Sequence, residues 1–256
     1  MTTSVKPIRQ EITKVQSVVD RLLNDRKKPK ILEVGCGSRS YIKVDKNAYV
    51  VGIDISEEQL SKNTVLDEKI LGDIQSYYLP NSEYDLIVCW WVLEHLSHPQ
   101  RALNNCLRAL KENGTIVIAS PNAFSLKGIV TKFTPQWFHF WTYKYAFGYK
   151  NITKTEDCPP FRTFLRFSIA PSFLKNFFIS NDLTIEYFSL YEDFKQKKFR
   201  KKHGVNGTIW ELIKFLTKIL SLGKIDAEYT DYIFVLKKSQ KLPSSCSAYS
   251  NVLSVR

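Results

Sequence analysis

The sequence predicts an α/β fold built on a doubly wound, mostly parallel sheet, and three observations carry that reading. Short β-branched, apolar runs at Ile31–Val34, Val50–Ile55, Tyr84–Cys89 and Thr115–Ala119 have the composition of strands buried on both faces of a sheet. Helical patterns lie between several of these runs, and strand alternating with helix implies right-handed crossovers. The first run leads straight into a glycine turn, Gly35-Cys36-Gly37, at the strand C-terminus, where the ligand crevice of such a sheet opens.

The elements follow in order. Ile8, Ile12, Val15, Val18, Val19, Leu22 and Leu23 recur at helical spacing from Ile8 to Asn24, and the basic run Arg26 to Lys30 with Pro29 stops that amphipathic helix. Ser56 followed by Glu57 and Glu58 reads as a helix N-cap with acids in the first turn, where the helix dipole favours them. Pro99 to Leu110 is a further helix, ended by Asn113-Gly114. An insertion from Pro121 to Ser168, dense in Phe, Trp and Tyr, then interrupts the alternation after the fifth strand. Helix-like Ser172–Asn181, strand-like Leu183–Leu190, amphipathic Thr208–Leu222 and strand-like Tyr229–Leu236 complete the pattern. The Ser-, Pro- and Lys-containing end from Lys237 reads as disordered, so one domain spans residues 1–240, with 121–168 as its insertion and 241–256 as a tail.

The composition is that of an ordinary globular chain: 256 residues, 44% hydrophobic and 24% charged. A net charge of +12 favours anionic partners, whether nucleic acid, phosphorylated metabolites or a membrane surface. The 5 cysteines are odd in number, widely spaced and without a CxxC pair, which argues against a disulfide framework or a zinc site and fits a reducing cytoplasm. The polar N-terminus and the absence of a long uninterrupted apolar stretch argue against export and membrane spanning.

The glycine turn lets backbone amides approach a ligand closely. A bare Gly-x-Gly is a weak signal, but Val50-Val51-Gly52-Ile53-Asp54 is a second strand that ends in an acid, placed to accept hydrogen bonds from two ribose hydroxyls. The segment Gly35-Cys36-Gly37-Ser38-Arg39-Ser40 lacks the third glycine of a dinucleotide fingerprint, which disfavours a pyrophosphate.

These residues resemble the class I S-adenosylmethionine-dependent methyltransferase family, small-molecule branch. Its first motif, acid-x-Gly-x-Gly, is matched by Glu33-Val34-Gly35-Cys36-Gly37, although Arg39 stands where a third glycine is frequent. Gly72-Asp73-Ile74 resembles its third motif, and Tyr84 to Leu96, ending Glu94-His95-Leu96, resembles its fourth-strand motif. The resemblance implies a Rossmann-like, doubly wound, mostly parallel seven-stranded sheet, with S-adenosylmethionine as cofactor and S-adenosylhomocysteine as product. It also implies a cofactor set of Glu33, Gly35, Cys36, Gly37, Asp54, Ile55, Asp73, Ile74 and Trp90, in which Asp73 meets the adenine amino group and Ile74 lines the base.

Methyl transfer from a sulfonium needs chiefly an in-line nucleophile and a dry site, and a general base helps a hydroxyl acceptor. His95, after the fourth strand, and His139, inside the aromatic insertion, are the candidate catalytic groups; each has a structural alternative as a hydrogen-bonded histidine. Trp91, Trp137, Phe138, Trp141 and Tyr143 are expected to wall the acceptor pocket, with the insertion as a lid or, alternatively, as a small secondary core or dimer interface. Trp91 occupies the position of an acid in the metal-associated motif of quinone-type O-methyltransferases, so no metal is expected. No Asn/Asp-Pro-Pro-aromatic motif follows the fourth strand, which argues against the branch that methylates exocyclic amino groups of nucleobases or glutamine.

The basic run from Lys195 to Lys202 reads as a solvated loop, with phosphate or headgroup binding as its alternative. The apolar face of 208–222 reads as core packing in preference to peripheral membrane contact. The expected activity is methylation of an oxygen or nitrogen of a small molecule, a secondary-metabolite precursor or a sugar or glycan intermediate, by a cytoplasmic monomer or homodimer. RNA methylation and a non-catalytic cofactor-binding scaffold are the rivals.

Overall fold

Successive residues of the central strands bury their side chains on opposite faces of one sheet. Leu32, Val34, Ile87, Cys89, Ile116 and Ile118 join one core cluster, while Ile31, Leu86, Val88, Trp90, Val117 and Ala119 join the other. The computed structural model describes residues 6–135, 137, 138, 142 and 163–240.

Among these residues, seven strands form one sheet: β1 (Lys30–Val34), β2 (Tyr49–Asp54), β3 (Glu68–Leu71), β4 (Tyr84–Trp90), β5 (Leu110–Pro121), β6 (Leu183–Tyr191) and β7 (Asp231–Lys238). Their order is β3-β2-β1-β4-β5-β7-β6. β1 to β5 run parallel, and β7 enters antiparallel between β5 and β6. The order reverses between β1 and β4, so a crevice forms at their C-terminal ends. The β5 and β6 C-termini and the β7 N-terminus reach the same edge, because Asp231 pairs with both Pro121 and Tyr191.

Among the described residues, seven α-helices flank the sheet: α1 (Lys6–Leu23), α2 (Glu57–Lys62), α3 (Pro99–Ala109), α4 (Leu126–Phe133), α5 (Pro171–Ile179), α6 (Phe194–Lys202) and α7 (Thr208–Leu220). α1 buries Val15 and Val19 in the smaller cluster, and Tyr187 Oη on β6 donates to Glu11 at 2.6 Å. Ser56 caps α2, accepting from the Gln59 amide, as its sequence predicts.

Five features differ from the sequence reading. Glu68–Leu71 is a strand that its charged, exposed composition hides, because an edge strand needs no buried face. α3 ends at Ala109, and Asn113-Gly114 falls inside β5, where Asn113 takes φ +60. The basic run 195–202 is helix α6, capped by Asp193, which accepts from the Lys195 amide. Only Trp210 of α7 is buried, so its apolar face does not pack into the core. β7 extends to Lys238, past the expected start of the tail. The expected tail 241–256 and most of the second half of the insertion lie outside the described residues.

Candidate active site

Gly35 and Gly37 turn the chain at the end of β1 with φ values of +58 and +50. A side chain is strained there, and glycine is not. The turn's amides do not stand free for a ligand. Gly35 N and Cys36 N donate to the Ile53 carbonyl at 2.8 and 3.3 Å, and Gly37 N donates to Asp54 Oδ2 at 2.9 Å. The turn is therefore tied to the end of β2, and the space left by the missing side chains, not loose donors, shapes the cleft. A Cβ on Gly37 meets nothing nearer than Gln59 Oε1 at 3.9 Å, so its α-carbon faces open space.

Asp54 Oδ1 accepts from the Ser56 amide at 2.8 Å. Each of its oxygens thus has one amide partner and keeps lone-pair capacity for another donor. Ile55 beside it is 72% exposed. Asp73, after β3, is held by Gln75, whose backbone and side-chain nitrogens all reach the carboxylate within 3.1 Å. Gln75 Oε1 in turn accepts from the His98 amide and the Ser97 hydroxyl, which binds the third motif to the segment after β4. Ile74 is buried in the larger core. Glu33 is buried, accepts from Ser40 Oγ and is pushed up from the ordinary carboxylate range by burial. Cys36 is likewise buried, and burial pushes its thiol up to about 12, so it stays neutral.

A cleft lined by Glu33, Cys36, Ser40, Tyr41, Val88 and Trp90 opens beside the turn. Trp90 is buried at its base and stacks on Tyr41, with ring centroids 5.3 Å apart. Trp91 is bent away from the strand at φ +59, a conformation that costs a bulky residue about 1–3 kcal/mol and aims its side chain away from the pleat of β4. Its Nε1, Trp90 Nε1 and the Tyr191 hydroxyl are all buried, and Trp91 lies beside Tyr191.

His95 lies on a short 3-10 turn, Leu93–His95, directly after β4, with Nε2 4.0 Å from Glu94 Oε1. Glu94 is buried and accepts from Ser120 Oγ at 3.1 Å, and its carbonyl accepts from the Phe164 and Leu165 amides. Burial pushes its carboxyl up to about 7. Nearby, Lys127 bonds Asp193, and burial raises the Asp231 carboxyl against the pull of that lysine. Of the two coupled carboxyls, Asp193 takes the charge and is held below its usual range by Lys127.

Glu94 and Asp231 therefore retain protons when folded that they release when unfolded. The folded state binds more protons between pH 4.5 and about 7, so stability falls as pH rises through that window. Thermal melts are expected to show a loss of roughly 2–3 kcal/mol per group between pH 5 and 8. Glu94→Gln, neutral at every pH, is expected to remove about half of this loss and leave the part due to Asp231; an unchanged slope contradicts the protonated state of Glu94.

Trp137 is exposed and meets half-buried Phe138 edge-on at 6.1 Å. His139, Trp141 and Tyr143 lie outside the described residues. Sequence reasoning missed Ser40, Gln75, Tyr191 and Asp231. None belongs to a recognisable motif; an acid at a strand start reads as a solvent cap, and only the antiparallel entry of β7 buries it.

A family model described as a methyltransferase domain matches residues 8–153, more than half of the chain. The chain belongs to the class I S-adenosylmethionine-dependent methyltransferase family. The ubiquinone biosynthesis O-methyltransferase of Coxiella burnetii is 30% identical to this chain over 101 residues, 36% of this chain and 43% of that protein. The match thus spans less than half of that relative's length. Two solved structures share the fold. A putative sarcosine dimethylglycine methyltransferase from Galdieria sulphuraria has a TM-score of 0.53 at 13% identity, covering 92% of this chain and 85% of that chain. The plantazolicin methyltransferase BpumL, solved with a substrate analogue and S-adenosylhomocysteine, has a TM-score of 0.52 at 17% identity, covering 92% and 86%. Among the described residues no helix is long and apolar enough to cross a membrane.

Proposed function

We propose that this chain transfers a methyl group from S-adenosylmethionine to an oxygen or nitrogen of a small molecule. The acceptor classes are secondary-metabolite precursors and sugar or glycan intermediates. The observation that carries the reading is the glycine turn tied through Gly37 to Asp54, with Asp54 ending β2 and Asp73 following β3 at one sheet edge. The residues fit the cofactor, since Gly37 leaves open space and Asp54 keeps lone pairs beside it.

When bound, the cofactor supplies a methyl carbon made electrophilic by its sulfonium. Asp54 accepts the ribose hydroxyls, Asp73 takes the adenine amino group, and Ile55 and Ile74 border the base. Glu33, Gly35, Cys36, Gly37 and Trp90 surround the remainder. Trp91, Trp137 and Phe138, together with Trp141 and Tyr143 as further candidates, would wall the acceptor and exclude water, and His139 is the second candidate base. His95 accepts the acceptor's proton. The domain spans residues 1–240, with 121–168 as the lid.

Incubation with methyl-labelled cofactor and panels of small hydroxyl and amine acceptors, RNA and no acceptor tests this. Label in a small molecule supports it, label in RNA favours the RNA reading, and binding without transfer favours a scaffold. His95→Ala is expected to lower kcat about 100-fold or more and to remove the acidic limb of the kcat profile, leaving the Kd for S-adenosylhomocysteine unchanged. A preserved pH profile assigns the proton to another group.

A further inference from the structure

α6 and α7 follow one another in the connection between β6 and β7, at the sheet edge that carries the candidate site. One face of α7 holds it to the fold. Trp210 is buried beneath the Arg200 guanidinium, 4.2 Å from the ring, and Lys214 reaches Glu228 at 3.2 Å. Arg200 is itself fixed to both oxygens of Glu192, at 2.7 and 2.8 Å. These anchors lie at positions 210 and 214 and set the rotation of the helix.

The opposite face is apolar and open to solvent. Ile209, Leu212, Phe215, Leu216, Ile219 and Leu220 recur at three- and four-residue spacing and are between 45% and 83% exposed; Leu222, just beyond, is 85% exposed. Most helices turn such a stripe inward, because each buried apolar side chain stabilises by about 25 cal/mol per Å². Here the polar anchors point it outward, and a contiguous apolar surface of this kind marks an interaction site.

The flanking charge identifies the partner. α6 carries six Lys or Arg in nine residues, of which Lys198, Lys201 and Lys202 are exposed, within a chain of net charge +12. A second copy docking through the same face by two-fold symmetry brings one basic run against the other and is repelled. Anionic headgroups are complementary to it, and an apolar stripe beside lysines is the pattern of helices that lie in the bilayer interface.

We propose that α7 docks on an anionic lipid surface, its apolar face inserted at the headgroup boundary and α6 held by negative headgroups.

Co-sedimentation of the full chain with phosphatidylcholine vesicles, with and without phosphatidylglycerol, tests this. Binding is expected with phosphatidylglycerol only, and it weakens at high salt. Leu216→Ser, Leu220→Ser and Leu222→Ser combined are expected to weaken it about tenfold or more, without lowering the melting temperature. Lys198→Glu with Lys201→Glu is expected to abolish the phosphatidylglycerol preference. Equal sedimentation of the triple variant, or no preference for anionic vesicles, overturns the proposal. So does a lowered melting temperature, which means the face packs within the chain. Light scattering that finds a dimer abolished by the triple variant, with no vesicle binding, assigns the face to a second copy.

Discussion

Asp54→Ala is expected to raise the dissociation constant for S-adenosylhomocysteine about 100-fold or more, as read by titration calorimetry. The carboxylate does two jobs: it holds the Gly37 and Ser56 amides, and its remaining lone pairs face the proposed ribose site. Truncation therefore removes ligand contacts and releases the glycine turn. The Gly37 and Ser56 amides, left without their charged acceptor, also cost about 1–3 kcal/mol of stability. Asp54→Asn separates the effects, since its single carbonyl oxygen keeps one amide bond and loses the charge. It is expected to melt near the wild type and still bind at least about tenfold more weakly. Wild-type affinity in both variants removes Asp54 from the ribose site.

Gly35→Ala is expected to destabilise the fold by about 2–4 kcal/mol, lowering Tm by about 5–15 °C. A Cβ at Gly35 lies 2.4 Å from Val92 Cγ2 and 3.2 Å from its Cγ1, and φ is +58. Val92 follows β4 and is itself buried, so it has no free direction in which to yield. Gly37→Ala is the matched control. Its φ of +50 carries a similar backbone strain, but its Cβ enters open space. It is expected to lose only about 1 kcal/mol of stability while losing cofactor affinity, because that space belongs to the ligand. Equal melting of the two variants contradicts the steric role of Val92.

The central strands were legible because a buried parallel sheet demands apolar residues on both faces, and Ile31–Val34 or Val50–Ile53 have no other use. The motif positions were legible because a positive-φ turn at a strand end restricts residue type, as at Gly35 and Gly37. β3 escaped because an edge strand is specified by its neighbour's backbone, not by its own side chains. α6 escaped because Phe194 to Lys202 buries no residue and shows almost no amphipathic pattern; its helix rests on the Asp193 cap and on Arg200 pairing back to Glu192.

The chain's own residues determined its strand succession, its family and the acids that end β2 and follow β3, all of which are properties of local spacing. The partners of those groups depended on the tertiary structure. The pairing of Gly35 and Cys36 amides with Ile53, the burial of Glu94 and Asp231 at one edge, and the outward turn of α7 each join segments far apart in the chain. Hydrogen-bond satisfaction and desolvation are set by which surfaces meet, and local pattern carries no record of that.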